Sequence, residues 1–147
     1  MNKLKQKSGF SLVELAIGLA IITVLILSIS LSSGLRDNAR VQSAAQSIQT
    51  LRSAAESYLT TGRLNYAGLS ISSLKSGSLL PAGFDAAASN PWGGAYTIAP
   101  SSSDSTKFSI TLNSVPKTDS SKLISYFKNT AVSSNFDEEK GSIIVTF

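Results

Sequence analysis

The sequence predicts an α+β fold in which one helix of about 50 residues precedes a small antiparallel sheet. Three observations carry that expectation. An apolar run near the amino terminus continues without a breaker into a stripe of apolar and small residues at three-and-four spacing. A Gly, Ser, Ala and Pro-rich stretch then follows, and beyond it lie short β-patterned runs separated by turn residues.

From Leu15 to Leu35 there are 21 residues without a formal charge. As a helix they would extend about 31 Å, close to the hydrocarbon thickness of a bilayer. Lys3, Lys5 and Lys7 precede the run, whereas Arg36, Asp37 and Arg40 beyond it sum to +1. That asymmetry predicts a cytoplasmic amino terminus and an extracytoplasmic remainder. A cleaved secretory signal has a shorter apolar core, of roughly 7 to 15 residues, and a small-residue cut site after it. The run is too long for that reading, and it carries Glu14 near its start.

Past Gly34 the helix is predicted to continue with Val41, Ala44, Ala45, Ile48, Leu51, Ala55, Tyr58 and Leu59 on one face and Arg40, Gln42, Gln46, Arg52 and Glu56 on the other. Gly62 is the predicted stop. Residues 62–94 read as an irregular connector in which Trp92 packs rather than stacks a ligand. Strands are predicted at 95–99, 107–115 and 142–147, with Phe108, Ile110 and Leu112 sharing a face and a hairpin turn at Asp104. Between the last two, Leu123, Ile124 and Phe127 fall at helical spacing, with Thr118 or Asp119 as its cap.

Composition excludes several chemistries. The 147 residues contain no cysteine and no histidine, which removes disulfides, thiolate nucleophiles, imidazole bases and most zinc sites. The net charge of +4 falls to +1 without the three leading lysines, since 10 basic then face 9 acidic residues. No footprint for a phosphate backbone remains, so nucleic acid is not an expected partner. Asp137, Glu138 and Glu139 lack ligand spacing and read as a solvated turn, so neither a metal nor any other cofactor is expected. No serine stands in a nucleophile motif, and the chain is not expected to be an enzyme.

The stretch KSGFSLVELAIGLAIITVLI resembles the leader junction and first helix of type IV pilins and the related type II secretion pseudopilins. Basic residues Lys3, Lys5 and Lys7 lead to Gly9 and Phe10, and Glu14 follows four residues after Phe10. The resemblance implies that a prepilin peptidase cuts after Gly9 and N-methylates Phe10, leaving residues 1–9 as leader, 10–35 as membrane and filament-core helix, and 36–147 as globular domain. Within the globular domain the expected parts are the amphipathic helix half at 36–61, the connector at 62–94 and the sheet region at 95–147.

It further implies a pilin fold, storage of the precursor in the inner membrane, and polymerisation by assembly machinery into an extracellular helical homopolymer serving adhesion, motility or conjugation. The order of strand, helix and final strand looks more like the type IVb branch, although Phe10 is more typical of type IVa. In the type IVb branch a cysteine commonly sits near Ser120; none is present here. Strand pairing, or contact with neighbouring copies, is therefore expected to hold the carboxyl-terminal region.

A carboxylate in an apolar segment is costly unless compensated. The new amine on Phe10 would lie one helical turn from Glu14, within a chain or between neighbours. The alternative is that Glu14 reaches the headgroups by itself. Two other functions stay open on the residues: a type II secretion pseudopilin or minor pilin, and a single-span anchored binding protein, which predicts no cut at Gly9.

Overall fold

The computed structural model describes residues 12–84 and 89–147, apart from the side chains of 27–33. Helix α1 spans Leu12–Thr60, 49 residues without interruption. The chain divides into two units, Met1–Arg36 and Asp37–Phe147. The architecture is α+β, with α1 followed by a four-stranded antiparallel sheet.

In the second unit, the stripe foreseen on α1 is the part that folds inward. Val41, Ala44, Ala45, Ile48, Leu51, Ala54, Ala55 and Tyr58 are buried, and Leu59 is half-buried against them. Gln42, Gln46 and Glu56 are exposed, as a one-sided stripe requires. Gly62 follows the helix with φ +87°, a left-handed conformation that glycine adopts without the clash a Cβ would bring.

The sheet supplies the facing surface. Strands β1 (Tyr96–Pro100), β2 (Phe108–Leu112), β3 (Ser133–Asp137) and β4 (Ser142–Thr146) lie in the order β1-β2-β4-β3. The register aligns Tyr96, Leu112, Ile143 and Phe136 across all four strands. A second row aligns Ile98, Ile110, Val145 and Ser134. Because side chains alternate along a strand, both rows share one face, and its aliphatic members join the α1 stripe in a single core.

The final strand is thus central rather than an edge. Beyond β4, Phe147 exchanges backbone hydrogen bonds with Phe108, and its ring stacks on that of Phe108 at 5.5 Å. The Arg52 guanidinium lies 4.8 Å from the Phe147 ring centre. This is how the carboxyl-terminal region is held without a disulfide.

Five details depart from the sequence expectation, the first being that the middle strand ends at Leu112 rather than at 115. The connector contains a short helix, α2 (Ile71–Ser76), fixed by a reciprocal capping box between Ser70 and Ser73. Strand β3 lies in a stretch given no strand above. Helix α3 spans Lys117–Phe127 but is capped by neither Thr118 nor Asp119; Pro116 occupies the N-cap and makes no side-chain cap bond. Ala54 also belongs to the buried stripe.

The hairpin turn at Asp104 forms as expected. Its Oδ1 accepts from the Thr106 hydroxyl at 2.6 Å and the Thr106 amide at 2.9 Å, while Oδ2 pairs with Lys107 Nζ at 3.1 Å. The Thr106 hydroxyl, then its amide and Lys107, lower the Asp104 pKa to about 2. Asp137 does similar work in the β3–β4 turn, accepting from the amides of Glu139 and Lys140. Glu138 pairs with Lys117 at 2.6 Å, so these carboxylates take part in turn and surface contacts.

Two outcomes follow. Leu51→Ala removes a fully buried side chain from the helix–sheet contact. It should lower unfolding free energy by about 2 to 5 kcal/mol in urea titration, against about 0.5 or less for exposed Gln46→Ala. For Asp104 the folded pKa lies below the unfolded value of about 4, so its stabilisation is full above pH 4 and fades as pH falls toward 2. The difference in melting temperature between the native chain and Asp104→Ala should therefore shrink over that window.

Candidate assembly helix

The first unit offers a helix whose described side chains are exposed on every side. Leu12 is 85% exposed, and Val13, Leu15, Ile17, Leu19, Ile21, Ile22, Val24, Leu25 and Ile26 are all more than half exposed. A helix apolar all round is stable only where another apolar medium covers it, either lipid or other helices. Thr23, the only hydroxyl in the described part of this run, donates to the Ala20 carbonyl at 2.8 Å. Its polarity is thereby turned onto the helix's own backbone.

Ile17, Ala20, Ile21, Val24 and Leu25 line a shallow groove of about 350 Å³ whose walls are wholly apolar. Gly18 meets nothing within 4 Å of the space a Cβ would take, so it leaves a notch in the helix surface. Such notches let another helix approach closely. Among the described residues, no helix is long and apolar enough to cross a membrane. The side chains of residues 27–33, within the uncharged run, lie outside the described ones.

Glu14 is an exposed acid in the first turn of α1. Gly18 lies one turn further along the same face. Gly9, Phe10 and the leader residues Lys3, Lys5 and Lys7 lie outside the described residues, so the structure places only Glu14 of the predicted site.

A second organised cluster was not singled out as a site by the sequence. The NPWGG turn is built around Asn90, which is buried. Its Oδ1 accepts from the amides of Trp92 and Gly94, and its Nδ2 donates to the Asn113 carbonyl at 2.7 Å. A methyl group on Gly94 would overlap the Asn113 carbonyl oxygen, so glycine is the residue that fits. Trp92 packs half-buried against the core, as expected, but its Nε1 also donates to Asp119 Oδ2 at 2.9 Å. Asp119 is nearly buried, and only its short spacing from a helix start hinted at a role.

Family comparison meets this geometry at both ends of α1. Residues 4–30 match the prokaryotic N-terminal methylation motif. These matched residues take in Lys5, Lys7, Gly9, Phe10, Glu14 and the exposed apolar turns. The chain is therefore a type IV pilin-like or pseudopilin precursor, and the motif implies processing by a prepilin peptidase. Residues 38–138 match the family described as PilS N terminal, which spans the amphipathic half of α1 and most of the sheet. The chain belongs to this family of type IV pilins, whose members are structural proteins rather than enzymes. No curated protein matches it.

Proposed function

We propose that the chain is the structural subunit of a type IV pilus, stored in the inner membrane by the apolar half of α1 and polymerised through that same surface. The single observation that carries this reading is the pairing of the two halves on one uninterrupted helix. The amphipathic half buries its stripe within its own domain, while the described turns Leu12–Ile26 expose apolar side chains on all sides. Transfer from lipid to a bundle of neighbouring helices exchanges one apolar contact for another, so extraction and polymerisation need no refolding of the globular part.

In this reading the peptidase cuts between Gly9 and Phe10, and Phe10 becomes the N-methylated first residue. Lys3, Lys5 and Lys7 hold the leader on the cytoplasmic side before the cut. Glu14 then meets the cation created at Phe10 of the subunit already in the fibre. A paired charge in an apolar medium is nearly neutral in free energy, whereas a stranded one costs about 3 to 5 kcal/mol, which selects one axial register. The membrane, the prepilin peptidase, the assembly machinery and further copies of the chain are the partners. The type IVb-like order of elements is part of the same proposal.

Mass spectrometry of the chain recovered from sheared surface filaments should give a mature form beginning at methylated Phe10. A filament built from chains that retain Lys3 would exclude the proposal, and a chain confined to short periplasmic filaments would assign it to the pseudopilins. Glu14→Ala should be cleaved normally yet yield few filaments, read by quantifying sheared fibres against cell-associated mature chain. Wild-type filament yield from that variant would remove Glu14 from assembly.

A further inference from the structure

Asp119 is a nearly buried carboxylate with a side chain 6% exposed, and nothing in filament assembly by α1 uses it. Its two oxygens face different partners. Oδ2 accepts from the Trp92 indole at 2.9 Å, and Oδ1 lies 3.8 Å from Lys122 Nζ. Lys122 in turn donates to Asn38 Oδ1 at 3.1 Å, across 84 residues of sequence. Each contact joins a different element: Trp92 the NPWGG turn, Asp119 and Lys122 the first turns of α3, and Asn38 the start of the α1 stretch in the globular unit.

We propose that Asp119 is the pivot of a polar latch, Trp92–Asp119–Lys122–Asn38, that makes the NPWGG turn, α3 and the beginning of the globular stretch of α1 move as one unit. Burial gives the carboxylate its leverage. A charge withdrawn from water depends on the few donors that reach it, so loss of one donor weakens the hold of the others. The position of Asp119 in the first turn of α3 adds the favourable field of that helix start. The turn at the far end is rigid, because the Asn90 side chain fixes it to the end of β2. Lys122 is half exposed, so this end of the latch is reached by water and opens without disturbing the core.

The latch differs from a set of unrelated contacts in one respect. A change at Asn38 should be felt at Trp92, which it does not touch. The chain contains a single tryptophan, so the emission comes from this one site. In the full-length chain in detergent micelles, Asn38→Ala should raise acrylamide quenching of Trp92. It should also speed amide exchange over Lys122–Phe127 by about fivefold, the change expected from one lost hydrogen bond.

Asp119→Ala should do both and shift the emission to longer wavelength, while far-ultraviolet circular dichroism stays the same. Asp119→Asn keeps an acceptor for the indole but removes the pairing with Lys122. Its emission should match the native chain, and adding Asn38→Ala to it should leave Trp92 quenching unchanged. If Asp119→Ala does not fold, Asp119→Asn and Asn38→Ala decide the matter. Unchanged Trp92 quenching in Asn38→Ala, or equal effects of Asn38→Ala in the native and Asp119→Asn backgrounds, would overturn the latch.

Discussion

The contact between the α1 stripe and the inner face of the sheet is the constraint on which the rest of this fold depends. A stripe such as Ala44, Ala45, Ile48, Leu51 and Ala55 cannot remain in water, and a small four-stranded sheet with one apolar face cannot stand alone. Each completes the other. Ala44, Ala45, Ala54 and Ala55 supply the small members of the buried cluster, and Ile48, Leu51 and Tyr58 its larger ones. The aromatic rings of Tyr66, Phe108, Phe127 and Phe147 extend the same core, with Tyr66 edge-on to Phe108 at 4.7 Å.

Because that stripe is committed to its own domain, the amino-terminal half of α1 is the part left to others. The division follows from the pattern of side chains rather than from any break in the backbone. From Leu12 to Ile26 apolar residues go all round the helix; from Val41 they keep to one side. In the proposed function the same secondary structure therefore serves two solvents. Glu14 is the one acid in the apolar half, and in the proposed function it converts a non-directional apolar surface into one with a preferred register.

Much of this was legible in the sequence because the signals were periodic and strong. The stripe on α1, the stop at Gly62, the alternation of Phe108, Ile110 and Leu112, and the helical spacing of Leu123 and Phe127 each correspond to a described element. Strand β3 was not legible: Ser133, Ser134 and Asn135 carry no apolar alternation, and the strand exists because β4 offers it a backbone to pair with. Helix α2 was hidden for a related reason, since Ser70 and Ser73 cap it from within a serine-rich stretch that reads as loop. Asp119 looked like a cap because it stands at a helix start. Tertiary structure gives it to Trp92 instead, and Pro116 takes the boundary. The methylation motif was legible over residues 4–30, whereas the proposed pairing of Phe10 with Glu14 involves two residues of which the structure describes only Glu14.

The division of labour along α1 is open to one direct measurement, favoured by the absence of native cysteine. Ala20→Cys and Leu64→Cys place single thiols at two exposed positions, one on the apolar half and one just beyond the helix. A water-soluble maleimide applied to intact filaments should label the thiol at 64 rapidly and leave that at 20 untouched, because neighbouring copies cover it. Labelling at position 20 as fast as at position 64 would contradict the account.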